Sequence, residues 1–470
     1  MGMKNIKTDA VVLGGGIAGC AAALAAARKG IKVTLIEGTG VLGGQAGFGL
    51  VTPYSAMTAN NTNKPFGGIV TEIYNDVSSC SEKYCTNNPN EGKHWPIASP
   101  HIVKYLLLKK LVEAGVSVRF HSNFAKAHTN GDKIEYITVL EKDGFCDISA
   151  DIFIDASGDG DLFASAGAEY VIGSEANVFS SLVENNLDKR HFSDSQYKKY
   201  EKDGVMQPVS IFFTMGGVDC DKAYALNNKA LYFGDYGITK EKFEKWEFAG
   251  TYGFEVTDDR IPTPQGRILV TRGTKSDVAV INMSRVVGID GTDAESLNEG
   301  EIKAQLQLIA IVDFLQTFVP GFEKSYLIQS GSSLGIRETR RLKGMYVLTG
   351  NDAIKCREFD DAIARGSYII DIHDPNGKGA AIGGDIKKDF YEIPYGCLVS
   401  KDFSNMLVCG RCISADHVAH ASTRIQGTCA MTGQAAGTAA FVALTDKVDV
   451  RKIDGKALRK TLISDGVYLD

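Results

Sequence analysis

The stretch VVLGGGIAGCAAALAAARKGIKVTLIEG at positions 11–38 restricts the fold of this chain more than any other segment. Residues 8–13 predict a short buried parallel strand, and Gly14, Gly16 and Gly19 follow it with the spacing G-x-G-x-x-G. The first glycine permits a tight turn, the second lets the backbone approach a pyrophosphate, and the third lets the next helix pack on the strand. The segment therefore predicts a βαβ unit that binds a nucleotide.

An acidic residue closes this unit where a dinucleotide requires one. The small-residue helix is predicted to end at Gly30, and the second strand ends at Glu37, 18 residues after Gly19. An acid at this distance reaches the ribose hydroxyls of an adenosine. The pattern by itself fits both NAD and FAD. Gly43 and Gly44, just beyond the acid, favour FAD, because flexible backbone there suits a longer cofactor that runs past the first loop.

Composition is that of an ordinary globular enzyme. The 470 residues are enough for two or three domains, and 44% of them are hydrophobic and 23% charged. The net charge of −6 and the lack of a basic stripe argue against nucleic-acid binding. The apolar runs are too short to span a membrane, and no signal peptide fits before the first strand. We therefore expect a cytoplasmic protein.

The ten cysteines are too few for a disulfide scaffold in a chain of this length. Cys409 and Cys412 form a C-x-x-C motif, which a redox disulfide would use. The surrounding NMLVCGRC, however, predicts a buried strand that enters a turn, and not the first helical turn that activates a thiol. We expect the two cysteines to pack. No metal site is predicted, because His417 and His420 lack a third ligand at a supporting spacing.

The nucleotide-binding part is predicted to be assembled from separated segments. Residues 1–175 form its N-terminal part, including a β-meander that returns to the parallel sheet at DIFIDASGDGD, and residues 395–470 complete it. Residues 176–394 predict a second α+β domain with an antiparallel sheet, to which 51–98 is a candidate contributor. The predicted fold class is thus α/β, a Rossmann-like domain with a parallel sheet and a β-meander, plus this substrate or cap domain.

Five stretches carry a resemblance to a known family. They are VVLGGGIAGCAAA with IEG and LGGQA, IDASGDGDLFASAGA, GIRETRRLKG, DIHDPNGKG with YEIPYGCL, and NMLVCGRCISADHVAHASTR with GQAAGTAA. Together they resemble the FAD-dependent oxidoreductases with a glutathione-reductase-like nucleotide domain, which include flavoproteins of the heterodisulfide reductase A type. The first and last stretches occur in many flavoproteins, whereas the middle three are more particular. The resemblance implies FAD held without a covalent bond, with its ring at the junction of the two domains.

The resemblance also implies which residues line the cofactor. The pyrophosphate would be lined by Gly14, Gly16, Ile17, Ala18 and Gly19. The adenosine ribose would be bound at Glu37 and Gly38, and the adenine end would lie near Phe124 and Ala125. The remaining dinucleotide chain would pass Gly43, Gly44, Gln45, Ala156, Ser157 and Gly158.

The flavin end of the cofactor is assigned in the same way. Gly410 and Arg411 would meet the ribityl region, and a helix N-terminus would direct the N–H groups of Gly433, Ala435 and Ala436 at the flavin O2 edge. Many members of the family carry Asp directly after the glycine of the final strand, whereas Gly410 is followed by Arg411. A second G-x-G-x-x-G for NADPH is absent, so a built-in nicotinamide domain is not predicted.

Flavin chemistry also needs a group that moves the proton accompanying a hydride. His373 in DIHDP is one candidate, because Asp371 and Asp374 flank it; a histidine that satisfies a loop carbonyl would explain the same residues. Arg337 in RETRR is a candidate clamp for a substrate carboxylate or for the reduced flavin. A structural salt bridge with Glu338 is the alternative.

Further candidates lie close to these in the sequence. Arg340 and Arg341 would share one face with Arg337 if RETRR were helical. His417 and Arg424 follow the last strand and precede the final small-residue helix, where the resemblance places the flavin ring.

The sequence thus favours a FAD-dependent oxidoreductase that transfers a hydride between flavin N5 and a small organic substrate, with an unknown electron donor or acceptor. An electron-relay subunit that works with an iron–sulfur or ferredoxin partner is one alternative, although the chain has no cysteine run of the cluster type. A flavoprotein with non-redox isomerase or lyase activity is another. A homo-oligomer is left open.

Overall fold

The computed structural model describes residues 4–52, 56–60, 62–84, 99–176, 204–225, 253–257, 260–264, 266–273, 275–282, 284–377, 382–384, 386 and 388–470. The helices are α1 (Ile17–Arg28), α2 (Gly68–Tyr84), α3 (Pro100–Glu113), α4 (Asp161–Ala166), α5 (Cys220–Ala225), α6 (Ala294–Phe318), α7 (Gly350–Lys355), α8 (His417–Thr423), α9 (Gln426–Asp446) and α10 (Gly455–Ser464). Short 3₁₀ turns lie at Gly44–Ala46, Tyr395–Leu398, Gly410–Cys412 and Val450–Lys452.

The strands of the first part of the chain are β1 (Lys4–Lys7), β2 (Ala10–Leu13), β3 (Val33–Ile36), β4 (Ser117–Arg119), β5 (Asn123–Asn130), β6 (Lys133–Glu141), β7 (Gly144–Ser149), β8 (Ile152–Asp155) and β9 (Tyr170–Ile172). Those of the rest are β10 (Phe213–Gly216), β11 (Gly253–Thr257), β12 (Arg267–Arg272), β13 (Ala279–Asn282), β14 (Tyr326–Ser330), β15 (Arg340–Leu342), β16 (Ala362–Gly366), β17 (Ile370–Ile372), β18 (Ile382–Gly384), β19 (Tyr391–Pro394) and β20 (Met406–Val408).

A parallel sheet of five strands, in the order β20-β8-β2-β3-β4, carries the nucleotide-binding half. Its strands β2, β3, β8 and β20 are buried along their whole length, as expected for parallel strands covered on both faces. Helices α1 and α9 pack closely because small residues face each other: a Cβ added to Gly433 would lie 2.1 Å from the carbonyl oxygen of Ala18, and one added to Gly437 would lie 2.1 Å from that of Ala22. The predicted Rossmann-like unit is confirmed.

A four-stranded sheet, β1-β7-β6-β5, extends this half. Its strands β5, β6 and β7 form antiparallel hairpins, and the first turn follows Asn130, where the dipeptide Asn130-Gly131 predicts a turn. The chain then enters β8 of the parallel sheet. The predicted β-meander is therefore confirmed.

The second sheet, β11-β12-β13-β10-β14, is antiparallel throughout. Helix α6, whose N-terminus is capped by the Asp293 carboxylate accepting from the Ser296 N–H at 2.8 Å, packs with this sheet in one apolar core. The predicted antiparallel sheet is confirmed.

Apolar side chains of the described residues form two separate cores. The larger one joins the parallel sheet, the meander and buried residues from Leu342 to Val399, and the smaller one lies between α6 and the antiparallel sheet. The division of the chain at positions 175 and 394 stays a prediction. Among the described residues, none of the helices combines the length and the apolarity that crossing a membrane requires.

Candidate active site

The first glycine loop joins β2 to α1, and each of its glycines has a distinct surrounding. Gly14 has φ +106°, and an added Cβ would lie 2.4 Å from the carbonyl oxygen of Ala156. An added Cβ on Gly19 would lie 1.9 Å from the carbonyl oxygen of Gly14, so only glycine lets α1 pack here. An added Cβ on Gly16 would meet no atom within 4 Å. The backbone of Gly16 therefore faces open space at the carboxyl end of the parallel sheet, where α/β folds bind nucleotides.

Glu37 lies directly after β3, beside this loop. Its Oε2 accepts a hydrogen bond from the Gly15 N–H at 2.9 Å, and its Oε1 accepts from the N–H and hydroxyl of Thr39, both at 2.7 Å. The carboxylate is therefore fixed by the protein: Oε1 already has two donors, whereas Oε2 has one and keeps capacity for a further donor. Gly38 is next in the chain and lies against Asn123, since an added Cβ would come 2.8 Å from its Oδ1.

The second glycine cluster lies against the first. Gly43 pairs with Gly16 in a parallel bridge, and its N–H donates to the carbonyl oxygen of Gly15 at 2.8 Å. Gly43 and Gly44 have φ of +99° and +54°, a region that favours glycine. Gln45 follows and donates from Nε2 to the carbonyl oxygen of Leu334 at 3.1 Å. This contact joins the glycine-rich segments to the sequence just before Arg337.

Ala156, Ser157 and Gly158 follow β8 at the same edge of the sheet. Ser157 donates from its hydroxyl and its N–H to Asp155 Oδ1, at 2.7 and 3.0 Å. Arg411 lies against Gly158, and its Nη2 donates to Asp159 Oδ1 at 2.7 Å. Because Arg411 is paired with a carboxylate, its ribityl contact stays a prediction.

Phe124 and Ala125 lie on β5, beside a break in its pairing with β6. Phe124 is half-buried and Ala125 is exposed. Their connection to Glu37 runs through Ser122, two residues before Phe124, whose N–H donates to the carbonyl oxygen of Glu37 at 3.0 Å. The adenine-end contact of Phe124 and Ala125 stays a prediction.

The expectation that Gly433, Ala435 and Ala436 direct N–H groups at the flavin is wrong. Helix α9 begins at Gln426, so these residues lie two turns inside it, where backbone N–H groups bond to carbonyls of the preceding turn. Gly433 instead provides the close contact with α1. The helix N-terminus that can stabilise an anion is Gln426–Thr428, and Ile425 at the N-cap position supplies no side-chain cap.

Buried oxygens that lack a partner gather at this N-terminus. Within the described part of the chain, Gln45 Oε1, Gln426 Oε1 and Thr428 Oγ1 have no hydrogen-bond partner. Val51 links the two glutamines, because its N–H donates to the Gln45 carbonyl oxygen at 2.9 Å and its carbonyl accepts from Gln426 Nε2 at 3.1 Å. The polar edge of an isoalloxazine ring has one N–H between two carbonyls, so these oxygens and the helix N–H groups fit it.

The sequence does not point to Gln426 and Thr428, because no Ser, Thr, Asp or Asn marks the start of α9. The lack of a capping side chain is itself the available signal. A helix start without a cap leaves N–H donors for a ligand.

Three guanidinium groups converge directly before α9. Arg424 donates from Nη2 to the Asp371 carbonyl oxygen at 2.7 Å, and from Nη1 to that of Arg337 at 3.4 Å. Arg337 donates to the Pro208 carbonyl oxygen at 2.6 Å. Nη2 of Arg285 lies 2.7 Å from His373 Nδ1. We call Arg285, Arg337, Asp371, His373 and Arg424 the arginine cluster.

The charges in the arginine cluster do not balance. Burial and the neighbouring Arg337 lower the pKa of His373 to about 3, despite the opposing effect of Asp371, so the imidazole is neutral near pH 7. Burial raises the pKa of Asp371, but His373, Arg424 and Arg337 bring it well below its usual range. Among the described residues that make up the arginine cluster, there are thus three guanidinium groups and one carboxylate. Burial, Arg285 and Arg424 also lower the pKa of Arg337, to about 9.

The hydrogen bonds of His373 fix its tautomer. A guanidinium can only donate, so His373 Nδ1 must accept from Arg285, and the ring proton lies on Nε2, 3.4 Å from Asp371 Oδ2. Both ring nitrogens of His373 therefore face protein charges.

His417 belongs to a second buried group, which we call the Glu338 hub and which consists of Glu338, Arg341, His417 and Glu175. His417 Nδ1 donates to Glu338 Oε1 at 2.6 Å, and Arg341 donates to the same oxygen at 2.5 Å and to Glu175 at 2.6 Å. Burial raises the pKa of Glu338, but His417 and Arg341 outweigh it and hold the pKa well below its usual range.

The segment RETRR is not a helix. Arg340 and Arg341 lie on β15, which pairs with β9, so the two side chains point to opposite sides. Arg340 pairs with Asp161 at 3.0 Å, whereas Arg341 enters the Glu338 hub. Of the three arginines, only Arg337 joins the arginine cluster.

The fold and this site define a class of protein: a two-core α/β flavoprotein with a dinucleotide cradle next to a cationic pocket. Residues 9–462 match the sequence model of the family described as FAD dependent oxidoreductase. The chain belongs to the FAD-dependent oxidoreductase family, and its cofactor is FAD.

Solved structures that are similar to this chain share little sequence with it. The flavin-dependent brominase Bmp2 is 12% identical over 97% of this chain and 83% of its own, with a TM-score of 0.45. p-Nitrophenol 4-monooxygenase PnpA from Pseudomonas putida DLL-E4 is 9% identical over 98% and 87%, with a TM-score of 0.47. A geranylgeranyl bacteriochlorophyll reductase-like protein from Thermoplasma acidophilum is 12% identical over 98% and 92%, with a TM-score of 0.43. The chain matches no curated protein.

Proposed function

We propose that this FAD-dependent oxidoreductase transfers a hydride between flavin N5 and a small organic anion. The observation that supports this most directly is the excess of positive charge in the arginine cluster, next in the chain to the helix start that fits the flavin edge. A carboxylate would satisfy the excess charge, because a guanidinium binds it through two parallel hydrogen bonds.

The residues of the arginine cluster divide between binding and support. Arg337 and Arg424 contact the substrate carboxylate and hold the carbon that reacts. Arg285 and Asp371 bind the two nitrogens of His373, so His373 positions these charges and does not transfer the proton. The FAD, when bound, supplies the hydride donor or acceptor.

The residues at the glycine loops hold the cofactor in this proposal. Gly14, Gly16 and Gly19 with Ile17 and Ala18 admit the pyrophosphate, and Glu37 accepts from the ribose. Gln45, Gln426 and Thr428 meet the polar edge of the ring, and the N-terminus of α9 stabilises negative charge on a reduced flavin.

Anaerobic titration tests the proposal. The FAD-loaded protein is mixed with a panel of small hydroxy, amino and unsaturated carboxylates, in both the oxidised and the reduced state. At least one compound should bleach or restore the long-wavelength flavin band. If none does, while an iron–sulfur or ferredoxin partner exchanges electrons with the flavin, the electron-relay alternative is correct.

A pair of variants locates the anion site. Arg337→Met should abolish the response to the carboxylate and leave FAD bound. Arg340→Met is the matched control, since Arg340 lies three residues further on and pairs with Asp161. Equal responses of the two variants would contradict the assignment of the substrate to the arginine cluster.

A further inference from the structure

Gln207 connects the arginine cluster to the Glu338 hub. Its side-chain Oε1 accepts from the backbone N–H of His373 at 3.0 Å and from Arg424 Nη1 at 3.2 Å. Its Nε2 donates to Glu338 Oε2 at 3.3 Å. With 2% of its surface exposed, the residue lies inside the protein, and each end of its amide meets a different buried charge.

The charges on both sides fix the orientation of this amide. The oxygen faces two donors and the NH₂ group faces a carboxylate, which is the one arrangement that satisfies all three partners. The reversed amide would point NH₂ at the Arg424 guanidinium and oxygen at Glu338. Gln207 is therefore a rigid neutral link between a cationic and an anionic group.

At its Nη1 atom, Arg424 makes a shorter hydrogen bond to Gln207 than to the other acceptor there. The Nη1 atom also reaches the Arg337 carbonyl oxygen, but at 3.4 Å, and the Asp371 carboxylate lies 3.8 Å from Nη2. The same amide oxygen holds the backbone of His373, which accepts from Arg285 through Nδ1. Loss of the amide would remove the shorter Nη1 hydrogen bond of Arg424 and the bond to the His373 backbone N–H, while Arg424 Nη2 stays bonded to the Asp371 carbonyl oxygen at 2.7 Å.

We infer that Gln207 is a positioning residue that sets Arg424 and His373 for anion binding and keeps the negative charge of Glu338 out of the anion site. The inference rests on the proposed function, because it concerns the same anion. A carboxylate at this position would bring a second negative charge next to Glu338 and would compete with the substrate for Arg424.

Gln207→Glu and Gln207→Leu test the inference in the FAD-loaded protein. The probes are oxalate, malonate and benzoate, and their dissociation constants are read from the change in the flavin absorption spectrum. Gln207→Leu should weaken binding of the best probe by about tenfold or more, at every pH, because a hydrogen bond to a charged group is lost.

Gln207→Glu should lose probe affinity relative to the unmodified protein as pH rises. At low pH the introduced carboxyl is protonated, and it reproduces the acceptor and donor of the glutamine, so binding should approach that of the unmodified protein. As pH rises the carboxyl ionises beside Glu338 and Arg424, and binding should weaken by about tenfold or more. Because this comparison is made within one protein, it holds even where Gln207→Leu does not fold.

Gln316→Leu is the control, since the Gln316 amide likewise makes a hydrogen bond within the protein, in its case from a partly buried position to the Ser325 carbonyl oxygen at 2.7 Å. It should leave the dissociation constants unchanged. Unchanged probe binding in both Gln207 variants would overturn the inference and leave the proposed function standing. If the unmodified protein bound none of the probes and no other anion, the proposed function and the inference with it would be overturned.

Discussion

Gly14, Gly16 and Gly19 meet three different steric demands within one turn of chain. Gly14 has φ +106° and touches the backbone of Ala156, and Gly19 lies against the Gly14 carbonyl. The packing of the protein itself therefore requires glycine at both positions. Gly16 has free space around the position of a Cβ, so the protein alone does not require glycine there. We propose that the requirement for glycine at this position comes from the pyrophosphate.

Gly16→Ala and Gly19→Ala should therefore fail in different ways. Gly16→Ala should fold with an unchanged melting temperature as apoprotein but bind FAD at least about tenfold more weakly, because the methyl group enters the pyrophosphate site. Gly19→Ala should lower the melting temperature of the apoprotein itself. Calorimetry with and without FAD measures both. Equal loss of apoprotein stability in the two variants would contradict the distinction.

His373 offers a second test at the level of one side chain. Its Nδ1 accepts from Arg285, so His373→Asn keeps an acceptor near that position, whereas His373→Leu does not. We expect both variants to keep the shape of the pH profile of flavin reduction, with anion affinity reduced most in His373→Leu. The loss of one limb of that profile in His373→Asn would show that His373 transfers the proton after all.

At the scale of elements, helix α9 and the segment RETRR show what a local sequence pattern can and cannot predict. The small residues of GQAAGTAA correctly indicate a helix, but they lie inside it and pack on α1. Its start at Gln426 has no capping residue, so the usual signal of a helix start is missing there. The interpretation of RETRR as a helix is wrong for a different reason. Its backbone is extended because β15 pairs with β9, residues 170–172, and such distant pairing is not encoded locally.

The start of α8 carries a pH-dependent cap. Asp416 accepts from the N–H groups of Ala419 and Gly350, at 2.7 and 2.8 Å. Burial is the main cause that raises its pKa from 3.8 to about 6. Since the folded pKa lies above the unfolded one, the resulting stabilisation is complete below 3.8 and is lost as pH rises through about 6.

Asp416→Asn removes this titration. Between about pH 5 and about pH 8, the free energy of unfolding of the unmodified protein should fall by about 1 kcal/mol relative to that of the variant. The variant also loses one acceptor, which adds a cost that does not depend on pH. Urea unfolding at the two pH values measures the difference. A constant difference would contradict the raised pKa.

At the scale of the whole molecule, the nucleotide cradle can be predicted from the sequence, whereas the arginine cluster cannot. The nucleotide cradle follows from β2, the glycine loop and Glu37, which are close in the chain and obey local steric rules. The arginine cluster joins residues far apart: Arg285 meets His373 from 88 positions away, and Gln207 meets it from 166. The sequence likewise does not predict that His420 is buried without a partner for either ring nitrogen among the described residues. Only the folded chain shows these contacts.

FAD should stabilise the two cores unequally. The cradle is built from β2, α1, β3 and the start of α9, all within the larger core, whereas α6 belongs to the smaller one. A ligand that binds only the native state stabilises it by about 2.7 kcal/mol at a concentration 100 times its dissociation constant. This stabilisation acts on the openings that disrupt the cradle.

Hydrogen exchange followed by mass spectrometry measures this distribution. Peptides that cover residues 10–28 and 426–436 should exchange more slowly after FAD is added to the apoprotein. Peptides from α6, residues 294–318, should change less, because their exchange proceeds through openings of the smaller core that leave the cradle intact. Gly16→Ala supplies the matched control. Its native fold should be retained, and FAD should slow its hydrogen exchange only at higher concentrations. Equal protection of all three peptides would mean that the two cores open together and that FAD stabilises them as one unit.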